Sequence, residues 1–394
     1  MGRVEFVLLL ALSMSLVALS IDAVLPALSY IGEEMRVDEN RRQLVIGALF
    51  VGFALAQCIF GPLSDSIGRR RSMLFAVGVF LIGCLVSIFA PNFEVMLIGR
   101  FIQGLGAGGP RTLGVAVIRD RFEGSLMAKT LSLVMTVFIL VPVLGPTIGQ
   151  VVLTFAAWRG IFWMYVVVAL VAVTWMWLRL PETLPPSRRH PFHLGRIGRA
   201  VLEVVRTRVS LGYLLATGFI YSGFIGYLTS SQQVLQEAYG LGVYFPVVFG
   251  LLAASIGVSS FVNSQLVVRL GMHRLARGSL ATFFSISVLF LIATAAFDGL
   301  PPLWVVFVAM VPMFFCVGLL FGNLNALAMQ PMGHIAGTAA AVIGAGQTVI
   351  SAGLGSLVGQ SFDGTALPFA AGFCCFAGCS LLCAYWAEPW WRRA

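Results

Sequence analysis

Twelve apolar runs, each long enough to cross a bilayer, follow one another along the chain with short polar breaks between them. They fall at roughly 6–29, 43–63, 72–90, 94–118, 129–153, 160–180, 209–230, 244–269, 278–297, 303–328, 336–358 and 366–387. A helix rising 1.5 Å per residue needs about 20 mainly apolar residues to cross the hydrocarbon of a bilayer. Lipid offers no hydrogen bonds, so each run must satisfy its own backbone, and a helix is the way to do that. Hydrophobic residues fill 59% of the 394 positions and charged residues only 10%, where a soluble domain is about a quarter charged. No soluble core could enclose so much apolar surface. The expected fold class is an all-α membrane protein with twelve transmembrane helices. No small-residue cleavage site follows the first run, which is therefore read as a retained span.

The net charge of +9 has a spatial meaning once the spans are walked from an inside N-terminus. Arg69, Arg70, Arg71, Arg119, Arg121, Arg179, Arg188, Arg189, Arg196, Arg199, Arg206 and Arg208 then fall on the cytoplasmic side, as do the terminal Arg392 and Arg393. Only Arg36, Arg41, Arg42 and Arg159 face out. That asymmetry orients membrane proteins. It reads as a topology device with both termini cytoplasmic, and not as a nucleic-acid footprint.

The longest polar interval, "PETLPPSRRHPFHLGRIGRAVLEVVRTR", separates six spans from six. The expected organisation is an N-terminal six-helix bundle over 1–184, a cytoplasmic linker over 185–208 and a C-terminal six-helix bundle over 209–394. The basic amphipathic part of the linker is expected to lie on the cytoplasmic leaflet. The halves echo each other: "GPTIGQ" (Gly145–Gln150) is answered by "GSLVGQ" (Gly355–Gln360), and Gly68 by Gly271 of "VRLGMHR". Duplicated, pseudo-symmetric bundles imply a substrate site near the midplane between them.

The connector "GPLSDSIGRRRS" (Gly61–Ser72) places four charges in twelve positions of a chain poor in charge. Gly61 and Gly68 suit close approach and a tight turn. Asp65 is an acceptor for guanidinium groups or for the N–H groups of a neighbouring helix start. The arginines alone would mark an ordinary inward-facing hairpin, but G-x-x-x-D-x-x-G-R-R is more specific. It resembles the signature loop of the major facilitator superfamily. Other stretches resemble that family's twelve-span drug–proton antiporters: "RFIQGLGAG" (Arg100–Gly108), "PVLGPTIGQ" (Pro142–Gln150), "WRGIFW" and "PET" (Pro181–Thr183). In the second of these, Gln150 stands where the motif usually has a glycine. "SIDAVLPAL" (Ser20–Leu28) and "MQPMGHIAGTAAA" (Met329–Ala341) are similar to the bicyclomycin/chloramphenicol-resistance subfamily.

Three ionisable residues fall inside spans: Asp22, Arg100 and Arg111. Each costs at least about 2.5–3.5 kcal/mol at a helix centre, so each is a functional candidate. Asp22 shares a helix face with Ala11, Ser15 and Ala18, a small stripe suited to a bundle interior. Burial raises a carboxyl pKa and a nearby cation lowers it, so an acid balanced between them can exchange a proton. Asp22 reads either as such a site or as a structural partner for Arg100, which enters its span at a similar depth. The resemblance implies proton coupling for both, and substrate recognition for Asp22.

Arg111 follows Arg100 by about three turns, on the same face and about 16 Å deeper, with Gly104 and Gly108 on nearby faces. It would contact substrate or neutralise carbonyls exposed by Pro110. In the fifth span Pro142, Gly145, Pro146 and Gly149 permit bending and tight packing. By resemblance they seal the transporter against leak, while Gly61, Asp65, Gly68, Arg69, Arg70 and Arg119 form a conformational latch. In the second half Tyr221, Tyr227, Asn323, Asn325 and Gln347 are candidates to line a cavity.

The seven cysteines lie within spans without metal-ligand or disulfide spacing and read as packing residues. His190 and His193 lack a third ligand, and no phosphate-cradling loop is present, so neither a metal, a cofactor nor an enzyme is expected. The resemblance implies a proton-coupled exporter of small, moderately hydrophobic drugs, working by alternating access in a bacterial inner membrane, and a monomer is expected. The alternative is a proton-coupled transporter of a metabolite such as a sugar or amino acid.

Overall fold

The computed structural model describes residues 1–189 and 194–388. His190, His193, Arg392 and Arg393 lie outside the described residues. The described chain holds twelve helices of at least 20 residues and two shorter ones. In order these are α1 (Arg3–Asp22), α2 (Leu28–Met35), α3 (Leu44–Ile67), α4 (Arg69–Ile88), α5 (Phe93–Arg121), α6 (Gly124–Phe155), α7 (Arg159–Arg179) and α8 (Leu194–Arg206). Then come α9 (Arg208–Ser231), α10 (Phe245–Leu270), α11 (Met272–Ala296), α12 (Leu303–Met329), α13 (Ala336–Gln360) and α14 (Leu367–Ala387). The fold is a twelve-helix membrane protein. α5 is the least apolar long helix of the first half, because Arg100, Gln103, Arg111 and six glycines dilute its hydropathy.

Two boundaries differ from the sequence reading, each for a local reason. The first span does not run unbroken to residue 29; α1 stops at Asp22, a 3-10 turn follows over Leu25–Ala27, and α2 resumes. Pro26 has no N–H to give the Asp22 carbonyl, which ends the ladder there. The connector expected over residues 64–71 is helical on both sides of one residue, Gly68, whose φ of +104° turns the chain by itself. The helix α6 starts at Gly124, and its apolar, bilayer-crossing stretch begins at Lys129, as the sequence implied.

Two compact units emerge from the packing. Unit 1 comprises Met1–Asp38 and Leu44–Ile197; unit 2 comprises Glu39–Gln43 and the chain from Gly198. Within unit 1, α1 packs on α6, α3 on α5, and α4 on both α5 and α7. Within unit 2, α9 packs on α13, α10 on α12, and α11 on both α12 and α14. The second list is the first one repeated six long helices later. Gly271 repeats Gly68 as well, with φ of +77° and the next helix starting directly after it. α8 is a short amphipathic helix that buries Ala200 and Val204 and exposes Val201, Leu202 and Val205.

Candidate functional site

Asp22 ends α1 at only 4% exposure. Its carboxylate makes no hydrogen bond or ion pair with a described residue. Ala11, Ser15 and Ala18 on the same face are buried, so the stripe lies in the protein interior, as the small side chains imply. α6 closes over this helix end through its two motif glycines. A Cβ on Gly145 would sit 2.5 Å from the Asp22 Cβ, and one on Gly149 would run into the Ala23 main chain. Only glycine allows the two helices to approach so closely here. Pro142 and Pro146 lie inside the same helix.

Arg100 on α5 is completely buried and reaches the broken end of α1. Its Nη2 donates to the Ser20 carbonyl at 2.8 Å and its Nε to the Val45 carbonyl at 3.0 Å. Its Nη1 donates to Gln103 Oε1 at 2.5 Å, and the Phe162 ring lies 5.7 Å below the guanidinium. The pairing with Asp22, one of the two readings open from the sequence, is therefore not formed. The break in α1 offers main-chain acceptors near the helix end, and a cation there also complements the helix dipole. Arg100 pins the hinge two residues before the acid. Sequence reasoning passed over Tyr165, which is fully buried beside Phe162, its hydroxyl without a hydrogen-bond partner among the described residues.

The signature hairpin is a charge network around the start of α4. Three arginines in the first turn oppose the positive end of the helix dipole, so the site needs anions. Arg69 supplies its own anchor points: Nη1 donates to Asp65 Oδ1 at 2.6 Å and Nε to Asp120 Oδ2 at 3.0 Å. Its main-chain N–H donates to Glu182 Oε1 at 2.8 Å. A Cβ on Gly68 would collide with the Glu182 carboxylate, so this glycine serves both the turn and the approach. Arg70 donates to the Trp177 carbonyl.

Two expected members differ. Gly61 has open space around its Cα and makes no close approach. Arg119 is exposed and has no bond with a described residue, and its neighbour Asp120 takes the place in the network. Glu182 is the acid of the "PET" stretch, and Asp120 ends the fourth span; their acidity after a span was the available signal. The "WRGIFW" stretch is also tied locally, with Trp158 Nε1 donating to Glu34 at 2.6 Å and Arg159 bonded to the same carboxylate.

Arg111 is half-buried against α6, with its guanidinium 4.8 Å from the centre of the Phe138 ring. Gly104 and Gly108 do not leave an open stripe above it; they pack against Leu49 and Ala56 of α3. Among the unit 2 candidates, Tyr227 is buried in an aromatic cluster, 5.3 Å from Phe249 and 4.8 Å from Phe314 between ring centres. Asn323 is buried and donates to Asn263 Oδ1 at 2.7 Å. Tyr221 lies edge-on to Phe321, and the half-exposed Asn325 bonds back to the Phe321 carbonyl. Gln347 is buried, and its Nε2 has no partner among the described residues. The structure thus gathers Asp22, Arg100, Gly145 and Gly149 at one place and Asp65, Gly68, Arg69 and Arg70 at another.

Comparison with known proteins agrees with this architecture. The chain is 30% identical over 376 residues to the uncharacterized MFS-type transporter YdgK of Bacillus subtilis, covering 94% of this chain and 92% of that protein. It is 30% identical over 382 residues to the bicyclomycin resistance protein homolog of Haemophilus influenzae, covering 94% and 93%. It is 26% identical over 370 residues to multidrug resistance protein D of Escherichia coli, covering 90% and 88%. The solved xylose transporter XylE of E. coli, in a partially occluded inward-open conformation, shares the fold with a TM-score of 0.73 at 14% identity, over 98% of each chain. A family model described as Major Facilitator Superfamily matches residues 10–356, and the chain belongs to that family of multi-pass membrane transporters.

Proposed function

We propose that the protein exports small, moderately hydrophobic drugs from a bacterial cell across the inner membrane, exchanging them for protons by alternating access. The observation that carries this reading is the state of Asp22. It is a carboxylate inside the bundle, at the break of the first span, with no cation or hydrogen-bond donor of the described residues committed to it. A carboxylate locked in an ion pair is a structural element; one left without a fixed partner is available to a proton or to the polar part of a cargo. The names of the relatives, which speak of bicyclomycin and multidrug resistance, favour a drug as the cargo.

In this scheme Asp22 holds a proton or cargo, not both, and Arg100 keeps the hinge beside it in register by holding the Ser20 carbonyl. The glycine seam of Gly145 and Gly149 lets α6 respond to the state of the acid and seals the bundle against proton leak. The network of Asp65, Gly68, Arg69 and Arg70 acts as a latch on the cytoplasmic side. Arg111 and the half-buried Tyr221 are contacts for cargo. Coupling requires that proton and cargo bias the same two-state equilibrium in opposite directions.

The test is proton flux in proteoliposomes of purified protein, driven by bicyclomycin and then by chloramphenicol, with and without an imposed pH difference. Drug-dependent proton movement that vanishes in Asp22→Asn supports the reading. Proton movement driven by sugars or amino acids but by neither antibiotic sinks the drug assignment.

A further inference from the structure

The short helix α8 carries three kinds of surface on 13 residues. Successive side chains turn by about 100° round a helix, which sets the faces. Ala200 and Val204 share one face and are buried. Val201, Leu202 and Val205 share a second, about 130° round from the first. They are 41%, 48% and 50% exposed. Arg199 and Arg206 stand two turns apart on a third face beside Leu202, and both are exposed. A helix that only packed on its own protein would need one apolar face. This one has two, and the second is edged by arginine. The helix holds a single acid, Glu203, against three arginines. Glu203 Oε1 lies 2.6 Å from His334 Nε2, in the turn between α12 and α13, so the acid is engaged by the protein and the exposed rim stays basic.

Its place in the chain says what covers the second face. Only the extended residue Thr207 separates α8 from α9. α9 in turn opens the stretch Arg208–Ala238, long and apolar enough to cross a bilayer. Arg208 Nε donates to the Trp386 carbonyl at 2.7 Å, and its guanidinium lies 5.3 Å from the centre of the Trp386 ring. Trp386 and its neighbour Tyr385 are partly exposed near the end of α14. Aromatic rings at span ends mark the level where hydrocarbon meets headgroups. One extended residue covers about 3.5 Å, so the end of α8 lies close to that level. All the residues named here belong to unit 2. A leaflet surface matches both exposed faces of the helix: acyl chains for the valines and leucine, phosphates for the arginines. Each arginine near a negatively charged leaflet strengthens binding by about fivefold, a gain that neutral headgroups do not give. A second copy of the same face would instead set Arg199 and Arg206 against like charges.

We propose that α8 is a docking helix for anionic phospholipid at the surface where α9 enters the membrane. Val201, Leu202 and Val205 enter the acyl boundary, and Arg199 and Arg206 bind the phosphates of negatively charged headgroups. The inference rests on the geometry of unit 2 and is independent of the identity of the cargo and of proton coupling.

The test follows labelling of Leu202→Cys by an uncharged, water-soluble maleimide. The full chain is held as single copies in nanodiscs of phosphatidylcholine, alone or mixed with phosphatidylglycerol. Ser187→Cys, at an exposed position of the linker, is the reference. The native protein, whose cysteines lie in the long helices, gives the background. Phosphatidylglycerol should slow labelling of Leu202→Cys relative to the reference by about fivefold or more. Adding Arg199→Gln with Arg206→Gln should remove that slowing. High salt should narrow it in the unsubstituted rim, because it screens the headgroup charge, and this arm serves if the double variant fails to insert. Labelling as fast as at Ser187→Cys in both lipids would put the apolar strip in water and overturn the proposal. Equal protection in both lipids would overturn the choice of anionic headgroups. Protection in neutral detergent that grows with protein concentration would place a second copy on this face, and that too overturns it.

Discussion

In unit 1, Gly145 and Gly149 of α6 lie against Asp22 and Ala23; in unit 2, Gly355 and Gly359 of α13 lie against Ile225 and Thr229. The seam is the same, four residues apart and built from glycines that admit another helix's main chain or Cβ. What it meets is different. Unit 1 presents an acid at the end of a broken helix, with an arginine on the carbonyl of Ser20. Unit 2 presents an isoleucine and a threonine on a helix that continues, with Thr229 bonded to the carbonyls of Ile225 and Gly355. Duplication supplied the scaffold, and ionisable chemistry was placed in one copy of it. The cost of burying a charge in lipid explains why one copy is enough.

The largest expected effect comes from exchanging the chemistry of the two seams. Asp22→Asn should reduce drug-driven proton flux to that of empty liposomes while leaving the protein inserted and folded. Ile225→Asp should add no flux and should destabilise the protein by about 2.5–3.5 kcal/mol, measured by thermal unfolding in detergent. If an acid at residue 225 rescues Asp22→Asn, the two seams are chemically interchangeable and the contrast drawn here fails. Next in size is Arg100→Ala, which strips the Ser20 carbonyl, the Val45 carbonyl and Gln103 of one shared donor. A loss of about 3 kcal/mol is expected, against about 1 kcal/mol for Asn323→Ala in unit 2. Arg100→Lys should recover little, because an ammonium cannot reproduce the fork.

Much of this was written in the sequence. Long apolar runs announce spans, and rare charges inside them announce Asp22 and Arg100, because lipid makes both features costly to keep without a use. The duplication was legible from two short echoes, and the packing of helices on helices repeats with it. The broken first span was signalled by Pro26 and still read as continuous, since a proline in an apolar run also fits a kinked helix. The pairing of Asp22 with Arg100, left open by the sequence, is not made, because main-chain carbonyls of Ser20 and Val45 take the guanidinium and such acceptors leave no mark in a sequence. Asp120 and Glu182 lie 51 and 113 residues from Arg69, so only folding brings them together. Tyr227 in an apolar run reads alike as cavity wall and as aromatic core, and packing decided for the core.

The glycine seams themselves offer a finer test. Gly145→Ala and Gly355→Ala each force a Cβ into a space under 3 Å wide, so each should cost about 1–3 kcal/mol of stability. Equal losses would confirm the shared architecture. The difference should appear in titration: only Gly145→Ala displaces an acid, so only it should move the pH midpoint of drug binding, followed by ligand fluorescence quenching. A matching shift in Gly355→Ala would mean that the seams act through stability alone.

The smallest effect separates the two hairpins. Asp65 in unit 1 accepts from Arg69, whereas the residue three before Gly271 in unit 2 is Val268, 84% exposed and apolar. The hairpins nonetheless share one device, an acid following the last long helix of each half. Glu182 accepts from the start of α4, and Glu388 lies 3.0 Å from His273 at the start of α11. If that acid carries most of the holding strength, Asp65 tunes the latch and does not build it. Asp65 is half exposed and Arg69 keeps Asp120 without it, so Asp65→Asn should change stability by less than about 1 kcal/mol. Turnover should still fall, because the exchange between open forms uses contacts too weak to register in unfolding. Glu182→Gln weakens an acceptor on a main-chain N–H and should lower stability more than Asp65→Asn does. The reverse order would move the weight of the latch back to the signature motif.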